Sequence, residues 1–97
     1  MKFVAEDSRI ALYDDKGQEA GEMVWMLRGD TMIIVHTHVE ARFQGQGLAQ
    51  ELVKQGVQVA REKGLMILPL CPYAKSQFDK KAEYSDVLSG DGMFGWE

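Results

Sequence analysis

The chain has 97 residues, 45% of them apolar and 27% charged, with 11 basic residues against 15 acidic ones for a net charge of −4. This is room for one domain, 1–97, with a thin core, and the acidic balance argues against nucleic acid, which needs clustered Lys and Arg. No run of about 18 apolar residues could cross a membrane, no long apolar run opens the chain, and the one cysteine, Cys71, excludes an internal disulfide, so the sequence reads as a cytoplasmic protein.

Residues 3–6 and 9–13 are short strand candidates, and Asp14-Asp15-Lys16-Gly17 is a turn between strands. Residues 18–27 read as a longer strand, closed by a tight hairpin turn at Arg28-Gly29-Asp30. That tripeptide is also an integrin-binding motif; between two strands it is read as a turn. Residues 31–39 form the strongest strand, and the consecutive β-branched Ile33, Ile34 and Val35 predict a central strand buried on both faces. From Leu48 the period changes. Leu48, Ala49, Leu52, Val53, Gly56, Val57 and Ala60 make one stripe of an amphipathic helix, with Gly64 just past its end. Gly56 costs about 1 kcal/mol relative to Ala in mid-helix, which predicts close approach of helix to sheet. Residues 65–70 are a further buried strand; strand, helix and strand predict a parallel crossover. Pro72 suits the first position of a second helix over residues 72–81. The tail, residues 89–97, is Gly-rich; it is either disordered or pinned to the body by Phe94 and Trp96.

The turn after the central strand carries the main chemical signal. Gln44, Gly45 and Gln46 offer no Ser, Thr, Asp or Asn cap to the helix that follows, so its first N–H groups are left open. Two glycines keep side chains away, and the helix dipole adds partial positive charge, which together suit a pyrophosphate. A dinucleotide fingerprint requires a third glycine where Gln50 stands, and a P-loop requires a Gly-Lys pair that is absent. A third pattern fits: Gln or Arg, two residues, Gly, one residue, then Gly or Ala, as Gln44-Gly45-Gln46-Gly47-Leu48-Ala49. The bland alternative is a merely Gly-rich connection.

The segment from Val39 to Ala49 resembles the acetyl-CoA signature of the GNAT superfamily of N-acetyltransferases. Together with His36-Thr37 and Cys71-Pro72-Tyr73, it resembles a subgroup of very short, stand-alone members that carry a Cys after the second parallel strand. The resemblance implies a mixed α/β fold: a hairpin-rich antiparallel sheet, one parallel β-α-β crossover and a second C-terminal helix. It implies acetyl-CoA or coenzyme A as cofactor. Backbone groups at Thr37, His38 and Val39 would bond the pantetheine arm. Gln44, Gly45, Gln46, Gly47, Leu48 and Ala49 would cradle the pyrophosphate, with Cys71, Ala74 and Phe78 completing the site. It also implies transfer of acetyl to a primary amine, a polyamine or a protein lysine, by a monomer or homodimer.

Phe78 stands where many relatives have a tyrosine that protonates the leaving thiolate, and it has no proton to give. Ile33 stands where some have a glutamate base. Cys71 is the substitute: a thiol ahead of a helix-opening proline has its thiolate stabilised and becomes reactive. The alternative is a small buried hydrophobe. His36 is the candidate base for the acceptor amine, against a structural histidine. Tyr73 and Tyr84 either supply a phenol or pack. Two histidines and one distant cysteine give no zinc-ligand spacing, so no metal is expected. The runner-up function is a non-catalytic CoA or acyl-CoA module, redox-linked through Cys71; a third reading is an adaptor domain without a cofactor.

Overall fold

Alternating apolar residues and short turns build the first half of the chain as consecutive hairpins. A computed structural model describes residues 1–89. Strands β1 (Lys2–Ala5), β2 (Arg9–Tyr13), β3 (Glu19–Arg28) and β4 (Thr31–Val39) pair antiparallel in sequence order. The β3–β4 hairpin closes Arg28 onto Thr31 with Gly29 at φ 61°, a left-handed turn that favours glycine. A 3-10 turn (Ala41–Phe43) then leads to α1 (Leu48–Lys63), β5 (Met66–Pro69) and α2 (Pro72–Lys80). Strand β5 joins β4 in parallel, giving one five-stranded sheet of order β1-β2-β3-β4-β5. This is the mixed α/β fold expected from the sequence.

Helix α1 buries Leu52, Val53, Gly56, Val57 and Ala60, the predicted stripe, against β2, β3, β4 and β5. It ends at Gly64, whose φ is 66° and whose N–H closes back on the last turn. The sheet contributes Ile10, Leu12, Met23, Trp25, Met32, Ile34 and Ile67 to the same core, and α2 adds Ala74 and Phe78. Each fully buried Leu, Ile or Met there contributes about 1.5–3 kcal/mol. Gly56 lies so close to the sheet that a Cβ would run into the terminal methyl of Met23.

The expectation that β4 is buried on both faces does not hold. Both helices pack into one core on one face, where Met32 and Ile34 are fully buried. On the other face, no element among the described residues covers Val35, which is 39% exposed, and Met26 and Leu70 are exposed as well. After α2, a second 3-10 turn (Ala82–Tyr84) brings the chain back along β5: Ile67 N–H donates to Val87 O (2.6 Å), and Ser89 N–H to Ile67 O (2.8 Å). Ser89, assigned to the tail, is thus buried against β5. The remainder of that tail, with Phe94 and Trp96, lies outside the described residues.

Candidate functional site

Strands β4 and β5 run side by side and then part. Their register runs from Thr31 opposite Met66 to Ile34 opposite Pro69. There the Ile34 carbonyl accepts both the Leu70 and the Cys71 N–H, each at 3.0 Å. Pro72 stiffens the next step, and α2 turns away with Cys71 at its N-cap. Strand β4 goes on to Val39, bonded now to β3 alone. A bulge marks the fork: Trp25 faces Ile34 and Val24 faces His36, so Val35 is the extra residue. The edge of residues 35–39 on the β5 side therefore has no strand partner among the described residues.

The glycine turn closes one end of this open edge. Gln44 folds its side-chain amide back to donate to Val39 O (2.9 Å). Gly45 and Gly47 take φ values of 86° and 76°, which strain any residue with a Cβ. Gly47 is the N-cap of α1, and no side chain caps the helix. The amides of Leu48, Ala49 and Gln50 find no backbone acceptor among the described residues; the first bond is Glu51 N–H to Gly47 O (3.0 Å). Open amides and the positive end of a 16-residue helix make this spot attractive to an anion.

Edge and turn together wall a cleft of about 410 Å³. It is lined by Thr37, His38 and Val39 from β4, by Phe43, Gln44 and Gly45 from the connection, by Gly47, Leu48, Ala49 and Gln50 from the start of α1, and by Tyr73 from α2. The volume falls within the range of small-molecule sites. No carboxylate lines it, so an anion meets no repulsion at close range. The Thr37 hydroxyl is buried there without a hydrogen-bond partner. Such an orphan costs about 1–3 kcal/mol unless a ligand or water satisfies it. Burial raises the Tyr73 phenol above its ordinary value of 10.0, which keeps it protonated.

Of the residues singled out from the sequence, Thr37, His38, Val39, Gln44, Gly45, Gly47, Leu48 and Ala49 line the cleft, and Gln46, exposed beside it, does not. Cys71 is 7% exposed and outside the lining, although its amide sits at the fork. Ala74 and Phe78 belong to the core, with the Phe78 ring 5.5 Å from that of Tyr84. His36 lies on the uncovered face of the sheet, its Nε2 3.8 Å from Glu22 Oε2 and its ring stacked on His38 at 6.0 Å. Arg9 gathers Glu6, Glu19 and Glu22 on that same face, and its bond to Glu19 holds the guanidinium firmly in the charged form. Sequence reasoning missed Phe43, which sits under the Arg42 guanidinium at 4.6 Å, and Gln50. It left Tyr73 undecided; the signal was its place one residue after the helix-opening Pro72.

Residues 9–87 match the family profile described as GCN5-related N-acetyl-transferase. The chain belongs to that family. No curated protein sequence matches it. Among solved structures, this GCN5-related chain resembles a GCN5-like protein from Staphylococcus aureus, with 29% identity over 92% of this chain and 88% of that one and a TM-score of 0.75. It also resembles a GNAT family N-acetyltransferase from Escherichia coli solved in complex with CoA, at 27% identity and a TM-score of 0.63. That match covers 72% of this chain but only 43% of the Escherichia coli protein, so the GCN5-related chain spans less than half the length of that relative. The N-acetylglutamate synthase of Neisseria gonorrhoeae, complexed with coenzyme A and N-acetyl-glutamate, shares the fold at 20% identity, over 75% of this chain and 18% of its own, with a TM-score of 0.63. Among the described residues of the GCN5-related chain, no helix is long and apolar enough to cross a membrane.

Proposed function

We propose that the cleft binds acetyl-CoA and that the protein moves its acetyl group to a primary amine, a polyamine or a protein lysine. The observation that carries this reading is the fork: an unpaired strand edge followed, through one short 3-10 turn, by an uncapped glycine turn. The residues fit the cofactor. The turn offers amides and left-handed glycines to a pyrophosphate, residues 35–39 offer a strand edge to the amides of a pantetheine arm, and Thr37 offers an unsatisfied hydroxyl.

When bound, acetyl-CoA supplies the activated thioester. Open backbone N–H groups on the 35–39 edge would polarise its carbonyl for attack by the amine nitrogen, with the C–S bond breaking and the thiolate leaving. Tyr73 is the proton donor within reach of the cleft, and it returns a proton to the departing sulfur in the place that Phe78 cannot fill. His36, turned toward Glu22, accepts the proton lost by the amine on the uncovered face.

Acetyl-CoA should raise the melting temperature of the parent protein, and Gly47→Glu should abolish that rise. The added carboxylate repels the pyrophosphate and strains a φ of 76°. No shift in the parent at millimolar acetyl-CoA would refute the reading. A second reading, a CoA-binding module without turnover, is favoured by Phe78, which is buried and has no proton to transfer. Release of free CoA thiol across a panel of polyamines and lysine peptides separates the two: turnover with any amine supports transfer, and binding without turnover supports the module.

A further inference from the structure

A second hollow of about 210 Å³ adjoins the cleft and shares Gly47 and Gln50 with it. Its other walls are Glu51, Lys54, Lys81 and Tyr84. Lys54 stands two helical turns beyond Gly47, about 10 Å along α1, and helical side chains lean toward the N-terminus, so its long stem reaches back toward the turn. Lys81 comes from a different element, the joint between α2 and the 3-10 turn that follows. Two ammonium groups from separate parts of the fold therefore face one hollow beside the anion-attracting turn.

Among the described residues neither lysine forms an ion pair. Arg61, the next cation along the same helix face, is already held by Asp86 and by Glu83 O, which leaves the lysines as the available charge. Glu51 is the one carboxylate in the wall, and its Oε2 accepts the Gln55 side-chain amide at 2.9 Å. Two ammonium groups against one carboxylate, next to open helix amides, make a locally positive hollow in a chain of net charge −4. The Tyr84 hydroxyl adds a neutral donor. This donor set suits a phosphate dianion, and lysine binds such a group as a point charge.

We propose that this hollow is a second anion site, separate from the pyrophosphate turn, and that it takes the phosphomonoester on the ribose of CoA. Lys54 and Lys81 are then the residues that distinguish CoA from its dephosphorylated form. The proposal rests on acetyl-CoA occupying the neighbouring cleft. The test is calorimetric titration of the parent and of the Lys54→Gln/Lys81→Gln double variant with CoA and with 3′-dephospho-CoA at low ionic strength. The parent should bind CoA about tenfold tighter, as expected for two charge-assisted contacts. The double variant should bring the two affinities within about twofold of each other, with the affinity for dephospho-CoA and the melting temperature unchanged. Equal affinity of the parent for both ligands would overturn the second site and leave the acetyl-CoA reading intact, as would a double variant that keeps the parent's preference. Binding of neither ligand would overturn both.

Discussion

Cys71 and Tyr73 are two residues apart, yet their side chains meet different surroundings. The Cys71 thiol is buried outside the cleft lining, whereas Tyr73 forms part of the wall. Partial burial raises this phenol above its ordinary 10.0, so it stays neutral near neutral pH. On the proposed reaction it is the proton donor to the leaving thiolate. A lysine acceptor, as proposed, has an ordinary value near 10.4 and loses its own proton as pH rises. Turnover should thus climb from pH 7 toward pH 9 with no loss from the donor. Tyr73→Phe should lower kcat about 100-fold, with CoA affinity held within about twofold, since general acid catalysis contributes factors of that order. Cys71→Ser should keep more than half of the parental rate. The opposite pattern in steady-state kinetics would assign the proton to Cys71.

Two close approaches between elements look alike and differ in consequence. A Cβ on Gly56 of α1 would meet the end of the Met23 side chain, which can swing aside. A Cβ on Gly21 of β3 would lie 2.6 Å from His38 O and 3.2 Å from Val39 Cα, and that backbone cannot give without moving β4. Gly56→Ala should therefore be nearly neutral, because up to about 1 kcal/mol of helix propensity offsets the repacking. Gly21→Ala should cost about 1–3 kcal/mol of stability, as overpacking does, and also weaken CoA binding, since the displaced residues line the cleft. Chemical denaturation of both variants, with CoA titration of Gly21→Ala, checks this; an unchanged Gly21→Ala would contradict the crowding.

The same pair of glycines divides what a local pattern carries from what only the fold carries. Gly56 interrupts a helical stripe, so its cost alone demands a packing reason. Gly21 sits in a strand, and its neighbours His38 and Val39 are far along the chain, which no local pattern reveals. Helix α1 is legible in the sequence end to end, because a 3.6-residue stripe, the turn glycine and Gly64 agree. The bulge is not, because in a run of Ile33, Ile34 and Val35 every residue suits a strand equally and nothing marks the one left unpaired. The glycine turn is readable from spacing. The entry of Tyr73 into the wall depends on how α2 leaves the fork, which is a tertiary fact.

At the scale of the whole molecule, one side-chain cluster ties the end of the described chain to its middle. Arg61 near the end of α1 holds Asp86 through Nε and a terminal nitrogen, at 3.1 and 2.9 Å, and also donates to Glu83 O. The segment it fastens covers the outer side of β5. Its bond to Arg61 lowers the Asp86 carboxyl below the ordinary 3.8. A depressed folded-state value means the pair stabilises fully above about pH 4 and is lost as pH falls through that lower value. Asp86→Asn should therefore melt slightly lower than the parent at pH 7, and the gap should close in stronger acid. Paired thermal melts from pH 7 to pH 2 measure it; a gap independent of pH would place the effect elsewhere.

The doubly bonded Ile34 carbonyl also fixes a length. It stops β5 at Pro69, while β4 ends at Val39, whose carbonyl the Gln44 side chain of the glycine turn caps. Between these stops lie five residues, 35–39, and at about 3.3 Å per residue they span about 16 Å. Anything that docks there as an added strand is measured against a ruler with two hard ends. On the proposed reading, one end grips by charge at the helix amides, and the other presents whatever group the arm carries to the bulge at Val35 and the uncovered face beside His36. Lengthening β4 by two residues would slide that group past the fork without touching a single residue that binds it.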